Sequence, residues 1–254
     1  CDNINSYKIA KGYSFKYVVD IIRKQFEENY DVSYYVVLSK QFDLNIFDNK
    51  LKAFSIKIDK EIKQHDTHKF NYQFLRRTYF IDMIKDTNYD FYIYLRNDRI
   101  LTPNGFGVWD RNVSLNKTAG WRKINGNKKN MNPIDKDYFL KPLKFIDTFD
   151  LSKLYIIRYG FNNDLKNDGS IWDGFALGNK ENIIKYIEFN YNKFIKNNDI
   201  RDWRGDKTRY PPCEKSIKKY LDIQNIELCD INSILDLPKP IDDKLNLLTH
   251  NGFT

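Results

Sequence analysis

Asn88-Tyr89-Asp90-Phe91-Tyr92-Ile93-Tyr94-Leu95-Arg96-Asn97-Asp98-Arg99-Ile100-Leu101 is the stretch on which the reading of this chain turns. A turn signal at Asn88 opens it, an aromatic and aliphatic run follows, and after Leu95 it breaks abruptly into charge. Such a run, rich in Tyr, Phe and Ile, predicts a strand over Asp90–Leu95 that is buried on both faces and central in its sheet. Sheets of that kind are covered by helices, and their ligands collect at the carboxyl ends of the strands. Asp98 falls where such an edge would be. A carboxylate there, flanked by the guanidinium groups of Arg96 and Arg99, suits a divalent cation and a phosphate. A charged, solvated loop after a strand has the same spacing.

Outward from that stretch, helical and strand periods alternate. Ser14 is placed as an N-cap, and Phe15, Val18, Val19, Ile22 and Phe26 recur at helical spacing. Val32–Leu38 reads as a buried strand, and Phe54, Ile56 and Ile58 alternate with polar residues as in a more exposed one. Tyr72, Leu75, Tyr79 and Met83 line one face of a helix, widened by Phe80 and Ile84. Arg76 and Arg77 lie near its middle, directed at a phosphate or at solvent. The polar segment before this helix holds a His65-x-x-His68 pair with no further ligand nearby.

Beyond Leu101, the segment 102–141 shows little periodicity, and a loop of that length in a compact domain is usually functional. Leu154–Tyr159 is again strand-like. In Ile171–Gly178 a single carboxylate, Asp173, interrupts an apolar run immediately before Gly174. A buried carboxylate is costly unless it is paired or used; the bland reading is a turn cap or a lysine partner. A helix over Asn179–Lys196 follows, with Ile184, Ile187, Tyr191 and Ile195 on one face. A short helix over Cys213–Gln224 turns Ile217, Tyr220 and Leu221 inward, and a strand over Ile226–Leu228 comes next. This order is α/β in character, and no Ser/Gly linker divides it, so residues 1–254 read as a single domain with a tail after Pro238.

The chain of 254 residues, 41% hydrophobic and 16% aromatic, is long enough and apolar enough to bury a core. Its formal charge of +8 suits a polyanionic partner: a nucleotide diphosphate, a nucleic acid or an anionic membrane. The basic residues read as scattered among acids, which makes nucleic acid the less expected of these. Cys1, Cys213 and Cys229 form no paired short spacing, which argues against a disulfide framework or a zinc site and suits a reducing cytosol. No apolar run is long enough to span a bilayer, and no signal peptide is read at the start.

The run "YDFYIYLRNDRIL", preceded by "YQFLRRTYFIDMIKD", resembles the centre of GT-A-type glycosyltransferase domains. It is similar to those of large DNA viruses and of capsular-polysaccharide gene clusters. The matching residues are Tyr89, Asp90, Arg96 and Asp98, with Asp98 the counterpart of the closing Asp in that family's metal-binding DxD motif. Arg96 stands where a strict DxD has its earlier carboxylate. The pattern Trp172–Gly178, followed by a helix, resembles the family's second acidic motif, whose Asp faces the acceptor sugar and can act as general base in inverting members. The resemblance covers residues 71–101 and 168–228.

It implies a GT-A-like (Rossmann-like) fold, a mainly parallel sheet with helices on both faces, and an acceptor-side loop region near 102–141. It also implies metal-dependent transfer of a sugar from a nucleotide-diphosphate sugar, such as a uridine diphosphate sugar, to a glycan or glycoprotein acceptor. Asp98 would bind Mn2+ or Mg2+, Asp173 would be the catalytic base, and Arg76, Arg77, Arg96, Arg99 and Gly12 would contact the donor. Gly12 belongs to the loop expected to cradle the nucleotide, although the strand expected before that loop is not visible. A viral member would work in the host cytoplasm or the virion. The alternative class is a non-catalytic carbohydrate- or nucleic-acid-binding module of the same fold, with Trp109, Trp121, Trp172 and Trp203 as stacking platforms. A nuclease or nucleotidyltransferase would need two metal-binding carboxylates close together, and one candidate stands at the strand end.

Overall fold

In chain order the elements are α1 (Phe15–Phe26), β1 (Tyr34–Leu38), a 3-10 helix (Leu44–Lys50), β2 (Leu51–Ile56), α2 (Asn71–Ile84), β3 (Tyr92–Leu95), β4 (Arg122–Ile124), β5 (Asn127–Lys129), β6 (Leu154–Arg158), β7 (Ile171–Gly178), α3 (Lys180–Glu188), α4 (Cys213–Ile223) and β8 (Leu228–Asp230). They come from a computed structural model that describes residues 15–38, 41–56, 71–96, 122–124, 127–129, 142–158, 171–191, 193–194 and 213–236. The architecture is mixed α/β with small sheets. The chain divides into two compact units, each discontinuous in sequence: Cys1–Val32, Arg96–Phe149 and Asn232–Thr254 in the first, Ser33–Leu95 and Asp150–Ile231 in the second. Among the described residues no helix is long and apolar enough to cross a membrane.

The second unit holds two sheets. β1 and β2 pair in parallel, joined through the 3-10 helix, whose Asp43 cap accepts a hydrogen bond from the Asn45 amide at 3.0 Å. The other sheet has the order β3-β7-β6-β8, in which β7 runs antiparallel to both neighbours and β8 parallel to β6. Parallel and antiparallel pairs are therefore mixed, where the expectation was a mainly parallel sheet. The position of β3 also differs from expectation. Among the described residues it pairs with β7 alone, and only Tyr92 of its four residues is fully buried. Its apolar character comes from ring packing on one side: Tyr94 meets Phe80 of α2 and Tyr186 of α3, and Tyr92 meets Tyr89. Burial on both faces belongs instead to the strands β7, where Phe175, Ala176 and Leu177 are all inaccessible, and β6, where Leu154–Ile157 are buried.

Register explains the layers. Residues directly opposite across a sheet share a face, so Tyr94, Ala176 and Ile156 lie on one face, as do Leu154 and Leu228. That face joins a core built with Phe74 and Ile84 of α2, Ile183, Tyr186 and Ile187 of α3, and Ile217 and Leu221 of α4. The buried line of α2 is Phe74, Arg77 and Ile84, of which Ile84, like Phe80, is expected to widen the apolar face; Phe80, Ile81 and Met83 pack against the core, and Leu75 and Tyr79 of the expected line are only half-buried. α3 begins at Asn179, whose side chain accepts from the Asn182 amide at 2.9 Å, and it ends at Glu188, short of the expected Lys196. The close approach of β7 to the start of β6 requires Gly178, since a Cβ there would lie 3.2 Å from the Lys153 carbonyl oxygen. α4 buries Ile217 and Leu221 as expected, with Tyr220 partly buried, and ends at Ile223, two residues before Asn225, whose φ of 55° is a left-handed helix-ending conformation.

In the first unit, α1 buries Val19, Ile21, Gln25 and Phe26. Its C-terminal turn holds the segment 143–145: Leu143 donates to the Gln25 carbonyl at 2.7 Å, Asn29 donates to the Leu143 carbonyl at 3.0 Å, and the Phe145 amide donates to the Tyr30 hydroxyl at 2.7 Å. Phe145 also forms an antiparallel bridge with Leu235. β4 and β5 form a separate hairpin.

Candidate functional site

Strand direction decides which ends can form a site. Because β7 opposes both neighbours, β3, β6 and β8 all end at the sheet edge where β7 begins. Leu95, the last paired residue of β3, lies opposite Phe175, so Ile171–Gly174 extend past it. On the other side, between the Ile156–Ala176 and Arg158–Ile171 pairs, β6 advances two residues and β7 five. The surplus makes β7 irregular over Trp172–Phe175, and bulges bend a strand and re-aim its side chains, commonly beside active sites.

Asp173 sits in that bulge. It is only 4% exposed. An isolated carboxylate there would cost several kcal/mol, and Asp173 makes a polar contact within the fold. A desolvated carboxylate in an irregular strand end can accept a proton from, or orient, a hydroxyl brought to it. A second carboxylate, Asp230, ends β8 in register with Ile156, with β6 between it and β7. Reading the strand as Ile226–Leu228 missed it; the signal was the break from Leu228-Cys229 into an acid.

Arg77 is placed differently from the phosphate-facing role expected of it. It is 2% exposed. The rings of Tyr186, Tyr94 and Phe74 surround its guanidinium at 4.3, 4.8 and 5.2 Å from their centroids. Nη2 donates to the Tyr186 carbonyl at 2.7 Å. Tyr186 lies in the last turn of α3, where carbonyls lack helical partners, so Arg77 caps that helix from a neighbouring one. This is a structural role. Its neighbour Arg76 is half-buried, and burial pulls its guanidinium below the ordinary value. Arg96 follows β3 directly and is half-buried, with a partner of its own.

Asp98, Arg99 and Gly12 lie outside the described residues, as do His65, His68, Trp109, Trp121 and Trp203. Trp172 is a residue of the β7 bulge. Among the described residues no three His, Cys, Asp or Glu side chains come together as a metal site. The structure thus brings Asp173 and Asp230 to one sheet edge and turns Arg77 into the core. Comparison of the chain with protein-family models, with curated proteins and with solved structures yields no match.

Proposed function

We propose that the chain is a glycosyltransferase of GT-A-like fold, moving a sugar from a nucleotide-diphosphate donor to a hydroxyl of a glycan or glycoprotein acceptor. The observation that carries this reading is Asp173, a buried carboxylate in a strand bulge at the edge where β3, β6 and β8 end. That edge is where α/β sheets collect ligands. In the reaction the acceptor oxygen forms its bond to the anomeric carbon while the bond to the diphosphate breaks, and the hydroxyl proton must leave. Asp173 accepts that proton, and Gly174 beside it adds no side chain to obstruct the acceptor. A manganese or magnesium ion held at Asp98 would neutralise the departing diphosphate, a task that Arg96 and Arg99 would share.

Thermal-shift titration with a panel of nucleotide sugars, with and without manganese, tests the donor half. Stabilisation by one donor is expected, and Asp98→Ala should abolish its metal-dependent part. Asp173→Asn tests the acceptor half. It should retain donor binding but slow transfer by about 10²–10⁴-fold, the usual contribution of general-base catalysis. Near-normal transfer by the Asn variant would remove Asp173 from the chemistry, and the absence of any donor response would remove the glycosyltransferase reading.

A further inference from the structure

Three tyrosines meet just before β3, and two of them face each other hydroxyl to hydroxyl. Tyr35 of β1 and Tyr89, in the turn after α2, hold their oxygens 2.8 Å apart although 54 positions separate them in sequence. Their ring centroids are 6.3 Å apart with the planes at 69°, the edge-on arrangement that aromatic pairs favour. The Tyr89 ring also meets Tyr92 edge-on at 5.6 Å. Tyr92, however, has its hydroxyl engaged. It accepts from the Tyr89 amide at 3.2 Å and lies 2.9 Å from the Thr87 hydroxyl. The Thr87 proton goes to the Ile84 carbonyl at 2.6 Å, so the Tyr92 proton goes to Thr87. Tyr35 and Tyr89 remain as a facing pair of phenols. Tyr35 packs against the core, whereas Tyr89 is 38% exposed.

The pair also lies at a seam in the second unit. Among the described residues no strand pairing joins the β1–β2 sheet to the β3-β7-β6-β8 sheet. Tyr35 belongs to the first of these sheets, and Tyr89 leads into β3 of the second. We propose that Tyr35 and Tyr89 form an oxidative cross-linking site, at which a peroxide-driven one-electron oxidant joins the two rings as a dityrosine. The proposal is independent of the glycosyl-transfer reading. Exposure brings the oxidant to Tyr89, and the hydrogen bond supplies the partner. Each phenol gives up one electron and one proton. The two radicals then join through ring carbons ortho to the oxygens, and the hydrogens on those carbons move to the oxygens, restoring both phenols. The two electrons and two protons released convert one hydrogen peroxide to two waters. Exposed side chains reorient in picoseconds to nanoseconds, so rotation of the Tyr89 ring, not movement of the backbone, is what aligns the carbons. The bond staples the two sheets together and closes a loop that holds β1, the 3-10 helix, β2 and α2.

The test treats the dilute full chain with hydrogen peroxide and a haem peroxidase, then maps cross-linked peptides by mass spectrometry. A peptide pair two hydrogens lighter than its parts is expected, with fragmentation placing the link on Tyr35 and Tyr89. Tyr35→Phe and Tyr89→Phe should each abolish it. Tyr34→Phe should keep it, because Tyr34 is on the opposite face of β1, against Phe47. Compared with identically treated Tyr35→Phe, the cross-linked chain should unfold at higher urea, its unfolding constant lowered roughly 10³-fold for a closed loop of this length. A link from Tyr89 to Tyr92, links only between chains, or a pair that survives in Tyr35→Phe would overturn the site. Equal urea midpoints would overturn the staple.

Discussion

Replacing Arg77 by Ala and by Met separates the worth of its charge from the worth of its volume. Several contacts favour the guanidinium. Its bond to the Tyr186 carbonyl is a charged hydrogen bond at 2.7 Å, a class worth about 1.5–3 kcal/mol. It also lies at the negative end of α3, where a cation is favourable. Three rings within 5.2 Å add cation–π attraction, about 0.5–2 kcal/mol each. Opposing them, Nε and Nη1 are buried without a hydrogen-bond partner, at about 1–3 kcal/mol apiece, and the whole charge is desolvated. These terms are of similar size and largely cancel.

What truncation then removes is chiefly packing. Arg77→Ala should cost about 3–5 kcal/mol, the range for emptying a large core site. Arg77→Met fills most of the space and removes both unpartnered donors, leaving only the Tyr186 carbonyl uncapped; it should cost roughly 1 kcal/mol. Urea unfolding followed by far-ultraviolet circular dichroism gives both values. In a chain of this size the Ala variant should melt roughly 6–20 °C lower. A Met variant as damaged as the Ala variant would refute the cancellation and show the guanidinium to be strongly stabilising in itself. A Met variant that folds normally but no longer binds any nucleotide sugar would return Arg77 to a phosphate-binding role.

Asn179→Ala removes the N-cap of α3 and should cost about 1 kcal/mol in urea unfolding; no measurable loss would mean that tertiary packing alone defines the start of that helix. Leu221, fully buried in the α4 contact with the sheet, should cost about 2–5 kcal/mol as Leu221→Ala, and a smaller loss would place α4 outside the cooperative core. Tyr30, Tyr35, Tyr155 and Tyr220 all have pKa values raised above 10.0, with burial the largest cause in each. Unfolded, these tyrosines release their protons at the ordinary value, whereas the folded chain still holds them, so their contribution is full below pH 10.0 and falls as pH rises through and beyond it. A urea midpoint that stays flat from about pH 9 to pH 11 would contradict that.

Local signals carried some of this architecture and not the rest. Ile217 and Leu221 recur at helical spacing in a stretch otherwise rich in Lys, so the buried face of α4 is unambiguous. α2 is different: Tyr, Phe, Leu, Ile and Met surround it on several sides, and its periodicity does not single out one face. The line that packs inward contains an arginine, which a hydrophobicity pattern assigns to solvent. The position of a strand within a sheet is less local still. β3 and β7 are both apolar runs, and the difference between them, one neighbour against two among the described residues, is set by partners distant in sequence. The two-unit division leaves no linker to find, because each unit is assembled from separated segments.

That division bears on the two acids that first drew attention. The boundary between Leu95 and Arg96 is a point where the chain passes from one unit to the other. A change from apolar to charged residues suits such a boundary, since β3 packs against the core of the second unit. The charge break alone therefore does not demand a ligand, and the case for Asp98 rests on resemblance and on its metal test. Asp173 does not stand at such a passage. It lies inside β7, whose described side chains are all buried, and neither a unit boundary nor a helix start falls within two residues of it. An alanine or serine would suit a buried bulge at lower cost than a carboxylate. Of the two acids, Asp173 is the one whose place the structure describes, buried in β7 with a partner of its own, and its substitution by Asn is the experiment on which the functional reading stands.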